Sequence, residues 1–329
     1  MDTQNGGVVR PDRILLATDG SEDARLACRA AADLAGRTGA ELHVAHAWRH
    51  HITGLGYPTV AWTDYSYLDE REARRVLATE VDTVEASGVG VAEPHLLQGP
   101  PIDAILDLCD ELRPGLLVMG SRGLGPLGRI ILGSVSEGVV HHARCPVFVV
   151  RGGEEAWPPA RVVAGDDGSK SAELAARLAV SMGGLYAAEA TLVRAYASPP
   201  EPIGGWSPED RRGLNLMRSR EEGALIGRAE AIEKVTGTRP GSRVVDADAA
   251  LALLLVAEEG EERKTLVAMG SRGLGVVDRV RLGSVSTKVL RIARGPVLIH
   301  ASPTGQTGAR DPDEAVVGRP VLAPERVIS

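Results

Sequence analysis

Aromatic residues are scarce in this chain: one Phe, five Tyr and four Trp among 329 residues. Any core must therefore rest on Val, Leu, Ile and Ala, the composition of buried parallel strands under Ala-rich helices. Cysteines are few as well. Cys28, Cys109 and Cys145 are an odd set, all in the first half and without a CxxC pair, and they read as reduced, buried, small apolar residues rather than a disulfide framework. There is no basic excess. The net charge is −7, with 37 Lys and Arg against 44 Asp and Glu, which argues against nonspecific binding of DNA or RNA. No apolar run approaches a membrane span, and the opening MDTQNGGVVRPDR has no apolar h-region. A cytoplasmic protein that engages neither nucleic acid nor membrane is the expectation.

What is present is a sentence written twice. MGSRGLGPLGRIILGSVS (Met119 to Ser136) and MGSRGLGVVDRVRLGSVS (Met269 to Ser286) start 150 residues apart and agree at 13 of 18 positions. Both contain G-x2-G-x9-G-S, as Gly120, Gly123, Gly133 and Ser134, then Gly270, Gly273, Gly283 and Ser284. Each follows an apolar run and precedes an amphipathic stretch, the layout of a strand, a glycine loop and a helix N-terminus. Glycines bring backbone N–H groups close to an anion, and the helix end adds its positive dipole. Ser134 and Ser284 are expected to cap their helices and to donate to a phosphate oxygen. Arg122 or Arg129, and Arg272 or Arg279, are candidate counter-charges. The same glycines would also serve plain strand-to-helix turns, but a duplicated motif with an upstream Asp-Gly turn in each copy favours the anion cradle.

Each repeat opens with a strand ending in an Asp-Gly-Ser turn, ILLATDGS (Ile14 to Ser21) and VVAGDDGS (Val162 to Ser169). An Ala-rich helix follows, with Ser21 or Ser169 as its cap and glycines at its end. Second strands are expected at Ala40 to Trp48 and Glu189 to Ala197, then Gly-, Pro- and Trp-rich loops (Arg49 to Tyr65, Ser198 to Ser207) and a long charged helix. Three further strands alternate with two helices, closing with PVFVVR and PVLIHA. Alternation of this kind implies right-handed crossovers and a parallel sheet, with ligands beyond the carboxyl ends of the strands. The predicted organisation is a first domain over 10–151, a linker over 152–160 (GGEEAWPPA), a second domain over 161–301 and a disordered tail over 302–329. Neither a Walker loop, G-x4-GK[ST], nor a dinucleotide fingerprint is present.

These residues resemble the universal stress protein family, in its tandem, two-domain form, from about Arg13 to Arg151 and Arg161 to Ala301. G-x2-G-x9-G-[ST] is the ATP-binding signature of one branch of that family, and both copies are intact. The resemblance implies an α/β fold: two tandem Rossmann-like domains of the adenine nucleotide alpha hydrolase type. Each would be a five-stranded parallel sheet of order 3-2-1-4-5 sandwiched by helices. It implies ATP or AMP as ligand, with Mg2+ as an optional companion of ATP. In repeat one, Ala17, Thr18 and Asp19 would contact the adenosine and Ala47 would line the adenine pocket. Met119, Gly120, Arg122, Gly123, Gly133, Ser134 and Val135 would hold ribose and phosphates. The matching positions in repeat two are Gly165, Asp166, Asp167, Ala195, Met269, Gly270, Arg272, Gly273, Gly283, Ser284 and Val285. Asp166 stands where repeat one has Thr18, and DADAA replaces QGPPI after the third strand, so the second site departs further from the pattern.

The family's last strand commonly pairs antiparallel with a twofold mate, so PVFVV (Pro146 to Val150) and PVLIH (Pro296 to His300) are expected to pair within the chain, with a homodimer of chains in addition. The functional expectation is a nucleotide-dependent stress-response or signalling module. The alternative is a slow ATP hydrolase or adenylate-transferring enzyme of the same superfamily, although the SGGxDS and HxGH motifs of catalytic relatives are missing. His141 and His142 suit a helix surface or C-terminal dipole rather than catalysis. His50 and His51 have no Cys or His cluster beside them to make a metal site.

Overall fold

The computed structural model describes residues 10–49, 66–121, 132–203, 205–260, 264–271 and 282–301. The first half runs β1 (Arg13–Ala17), α1 (Glu22–Thr38), β2 (Glu41–Trp48), α2 (Ser66–Ala86), β3 (Glu93–Gln98), α3 (Pro101–Leu112), β4 (Leu116–Gly120), α4 (Ser134–His142) and β5 (Val147–Val150). The second half repeats it as β6 (Arg161–Gly165), α5 (Lys170–Gly184), β7 (Glu189–Ala195), α6 (Pro208–Thr236), β8 (Gly241–Val245), α7 (Ala249–Glu258), β9 (Thr265–Gly270), α8 (Ser284–Ile292) and β10 (Val297–His300). Several predicted features lie outside the described residues: most of the loop from Arg49 to Tyr65 with His50 and His51, both glycine-loop interiors with Arg122, Gly123, Arg129, Arg272, Gly273 and Arg279, and the tail over 302–329.

The ten strands among the described residues form one sheet, in the order β3-β2-β1-β4-β5-β10-β9-β6-β7-β8. Within each half every pairing is parallel and the order is 3-2-1-4-5. The halves meet where β5 and β10 pair antiparallel, with Phe148 opposite Leu298. These two residues occupy the same place in their repeats, so a pseudo-twofold axis passes through their pair. Each terminal strand covers the other's exposed backbone edge.

The strands alternate cleanly between two cores. Ile14, Leu16, Val44, Val118 and Phe148 meet α1, α2, α5 and α6 on one face. Leu15, Ala17, Ala45, Leu117 and Val149 meet α3, α4, α7 and α8 on the other. Both cores run across the junction between halves without a break.

The first helix starts as its sequence predicts: the Ser21 side chain accepts from the Ala24 N–H at 3.2 Å, and Gly39 ends it in the left-handed region at φ 74°. The matching helix of repeat two ends differently. Gly183 lies inside α5, where a Cβ would come within 2.6 Å of a Val162 methyl. That glycine brings the helix against β6 rather than capping it.

Part of the stretch read as a linker packs into the core, through Ala156 and Trp157. Ala156 is fully buried, and the Trp157 ring packs against Phe148 and Tyr186. Its indole N–H donates to Asp33 at 2.9 Å, and the Tyr186 hydroxyl donates to the same carboxylate at 2.6 Å. Burial raises the Asp33 carboxyl's pKa, but donation from Tyr186, Arg37 and Trp157 outweighs it and leaves the value low. Pro, Gly and Glu gave the segment a linker's composition. Its one Trp decided otherwise, because a ring of that size contributes several kcal/mol only when packed.

Candidate functional site

The predicted residues that are described lie at the carboxyl ends of β1, β2 and β4 and the start of α4 in the first half, and of β6, β7 and β9 and the start of α8 in the second. In the first, the Thr18 N–H donates to the Ala45 carbonyl at 2.9 Å, which carries the β1–β2 pairing one residue past the strand. The chain then turns. Thr18 Oγ1 accepts from the Gly20 N–H at 3.2 Å, and Asp19 Oδ1 accepts from the Ser21 N–H at 3.1 Å. Gly20 sits at φ 75°, a conformation glycine adopts without strain. In the second half Asp167 Oδ1 accepts from the Ser169 N–H at 2.9 Å, and Gly168 has φ 83°. The two Asp-Gly turns are therefore the same device.

The feet of the glycine loop are tied in three places. The Ser121 N–H donates to the Val150 carbonyl at 3.1 Å, and the Gly133 N–H donates to the Ser121 carbonyl at 2.8 Å. The Ser136 hydroxyl, buried, donates to the Gly120 carbonyl at 2.9 Å. Repeat two makes the same bonds: Ser271 to His300 at 2.8 Å, Gly283 to Ser271 at 2.8 Å, and the Ser286 hydroxyl to Gly270 at 2.9 Å. In repeat one the Ser121 hydroxyl also donates to Asp23 Oδ2 at 2.6 Å, fastening the loop to the first turn of α1. These bonds set the start of α4 and α8 beside the strand ends.

Gly133 and Gly283 are the helix N-caps, and neither helix has a side-chain cap bond. The expectation that Ser134 and Ser284 act as caps is corrected: both are the first helical residue. Ser136 and Ser286, two residues on, do the holding. A glycine cap leaves the first-turn amides, which have no acceptor inside the helix, without a side chain of the cap in front of them.

Gly120 and Gly270 are required for packing first. A Cβ at Gly120 would lie 2.8 Å from the Asp23 carbonyl carbon and 2.9 Å from the Ala24 nitrogen. At Gly270 it would lie 2.5 Å from Ser171 Oγ and 2.8 Å from the Ala172 nitrogen. Strand end and helix start touch directly at both.

The remaining predicted residues divide. Asp19 and Asp167 lie at the turn, partly or fully exposed, with Ser134 exposed and Val135 half-buried nearby in sequence to the cap; Ala47, Ala195 and Val285 pack against the α3–α4 or α7–α8 core from its rim. Gly165 is half-buried, with Leu253 within 3.1 Å of any added Cβ. Ala17, Met119 and Met269 are core residues. Thr18 and Asp166 turn their side chains to the opposite face, toward α1–α2 and α5–α6.

What meets them there differs between repeats. Thr18 joins a hydrogen-bonded group in which Glu80 bonds to both Thr18 and Cys28, while His46 Nδ1 bonds to the Thr18 carbonyl at 2.8 Å. Burial raises the pKa of Glu80, and burial followed by the Glu80 charge raises that of the Cys28 thiol to about 12. Cys28 is thus a protonated, inert thiol at neutral pH. Asp166 instead sits between two guanidiniums: Arg194, which pairs with it directly and with Glu221 at 2.8 Å, and Arg228, whose Nε is 3.3 Å away and whose Nη1 is 2.7 Å from Glu173. The Asp166 charge is thereby paired on the α5–α6 side of the sheet.

A groove of about 460 Å3 lined by Cys28, Asp33, Thr83 and Trp157 lies on the α1–α2 face. His142 Nδ1 bonds the Gly138 carbonyl at 2.8 Å in the last turn of α4. No helix among the described residues is long and apolar enough to cross a membrane.

Comparison with known proteins agrees with this architecture. The model of the universal stress protein family matches twice, over residues 11–151 and 160–300. A universal stress protein of Mycobacterium tuberculosis is 29% identical over 301 residues, covering 87% of this chain and 96% of its own. One from Thermus aquaticus is 40% identical over 141 residues, 42% of this chain and 97% of its own. The crystal structure of a universal stress protein from Archaeoglobus fulgidus superposes with a TM-score of 0.61 at 24% identity, covering 88% of this chain and 98% of that one. Two matched segments, one sheet shared about a pseudo-twofold axis and a repeated strand–loop–helix site lead to one conclusion: the chain belongs to the universal stress protein family, as a tandem member with two family domains.

Proposed function

We propose that the chain is an adenine-nucleotide-binding stress-response module, with ATP in the crevice at the strand ends of each repeat. The observation that carries this reading is the duplicated anchoring of the glycine loop by Ser136 and Ser286, which presents a glycine-capped helix start beside an Asp-Gly turn in both halves. Helix starts of this kind favour phosphate groups through their amides and dipole. On this reading residues 10–151 and 161–301 each form one nucleotide-binding domain. Asp19, Ala47, Gly133, Ser134 and Val135 serve the first site, and Asp167, Ala195, Gly283, Ser284 and Val285 the second. Arg122 and Arg272 are the counter-charges, and Mg2+ enters with the phosphates it neutralises.

The role is binding and conformational signalling, with Asp19 Oδ1 and Asp167 Oδ1 engaged as turn acceptors. The chain already completes the β5 edge internally, so a homodimer would use another surface; light scattering reports its mass.

Titration calorimetry with ATP and Mg2+ tests the reading. The expected result is saturable binding that Gly133→Asp weakens at least ~10-fold, about 1.4 kcal/mol, by setting a carboxylate against the phosphates. Gly283→Asp reports on the second site in the same way. Gly120→Asp is unsuitable, because its Cβ would collide with α1 whether or not ligand binds. Absence of ATP binding to the wild-type chain overturns the proposal. Turnover above solution background that Gly133→Asp abolishes would establish the hydrolase or transferase alternative.

A further inference from the structure

At the start of the outermost strands of the first half, three metal-ligating side chains come together. β2 and β3 run parallel with His43 opposite Glu93 and Ala45 opposite His95. Residues two apart share a face of a strand, so His43, Glu93 and His95 all project from the face that packs on α3. One donor atom from each lies within 4.8 Å of the others. His43 Nδ1 is 3.0 Å from His95 Nε2, and that nitrogen is 3.9 Å from Glu93 Oε2.

Two facing imidazole nitrogens at this distance hold one proton between them at most. Zinc–nitrogen bonds of 2.0–2.1 Å in a tetrahedron separate neighbouring nitrogens by about 3.3 Å, so small rotations of the two rings replace that proton by a cation. His43 is 6% exposed and its Nε2 has no hydrogen-bond partner, so the ring is not committed to another polar group. Glu93 has a side chain 63% exposed, which leaves the outer side of the cluster open to water.

We propose that His43, Glu93 and His95 form a binding site for one zinc-class divalent cation, with water completing the coordination. Two imidazoles and a carboxylate are the donors such borderline ions select, whereas Mg2+ and Ca2+ select oxygen alone. The site lies at the opposite end of the strands from the nucleotide crevice and clips the sheet's terminal strand β3 to β2. Repeat two has Thr191, Gly241 and Arg243 at these places, so the site belongs to one half only.

The test is titration of the metal-free, untagged full chain with Zn2+ in competition with a chromophoric chelator, and with Co2+ read by its visible absorption. One Zn2+ per chain at micromolar concentration is expected. His95→Ala should lower its affinity at least ~10-fold and remove the Co2+ band, Glu93→Gln should weaken it less, and His142→Ala on exposed α4 should leave it intact. Circular dichroism verifies that each variant folds. Should His95→Ala fail to fold, Zn2+-dependent shifts of the His43 and His95 imidazole resonances in the wild-type chain decide the matter. No Zn2+ uptake at submillimolar concentration, uptake unchanged in folded His95→Ala, or unshifted imidazole resonances would each overturn the proposal.

Discussion

Behind the Asp-Gly-Ser turn of the first repeat stand Thr18, His46, Glu80 and Cys28, joined by hydrogen bonds; behind that of the second stand Asp166, Arg194, Arg228, Glu173 and Glu221, joined as ions. In front of them the Asp-to-Ser turn bond and the strand-end bond recur in both halves, while the Gly20 N–H to Thr18 Oγ1 bond belongs to repeat one. The same turn therefore tolerates two unrelated supports, because its Asp carboxylate accepts from the Ser amide in the same way above either. Glu80 and Arg228 show the exchange: each stands on the long helix of its half, Glu80 as a buried acid bonded to Thr18 and Arg228 as a guanidinium 3.3 Å from Asp166.

The sharpest way to break the comparison is to remove one ion. Arg194→Met leaves Asp166, whose side chain is 1% exposed, with one guanidinium fewer. It should destabilise the chain by about 3–5 kcal/mol in urea unfolding, whereas His46→Gln in repeat one should destabilise it far less. Next come the shared glycines. Gly120→Ala and Gly270→Ala should each destabilise by about 1–3 kcal/mol through overpacking, and by similar amounts, since both meet helix backbone at 2.8 Å.

pH separates the halves by sign. Glu80 has a folded pKa above its ordinary 4.5, so its contribution is complete below that pH and is lost as pH rises through the folded value. Glu173 has one below 4.5: burial raises it, but Arg177, Lys170 and Arg228 pull it lower. Its contribution is present above 4.5 and is lost as pH falls through the folded value. Urea midpoints measured across pH should thus show Glu80→Gln improving relative to wild type as pH rises, and Glu173→Gln converging on wild type as pH falls. The smallest effects are expected from Ser136→Ala and Ser286→Ala. Each deletes one buried hydrogen bond, about 1 kcal/mol, and loosens the helix start in its own repeat, which a nucleotide titration reads as weaker binding there.

Much of this was legible in advance. The 150-residue repeat, the alternating elements and the apolar runs followed from periodicity, because aliphatic strands buried on both faces permit little besides a doubly covered parallel sheet. Pairing of PVFVV with PVLIH followed from the family resemblance and is seen between Val147 and Ile299. The cap was misread because serine is the commoner cap residue, whereas here glycine occupies that place and Ser136 bonds back sixteen residues to Gly120. The His43–His95 contact joins residues 52 apart, and no local spacing marks it.

By itself the sequence determined the repeat, the fold class and the strand–loop–helix sites, since these depend on local pattern and on turn chemistry at Gly20 and Gly168. Tertiary structure alone decided which side chains face the crevice and which face away, how Trp157 and Tyr186 converge on Asp33 to join the halves, and that Asp166 is paired. Those outcomes depend on which distant residues share one face of one sheet, and strand register sets that only once the chain has folded.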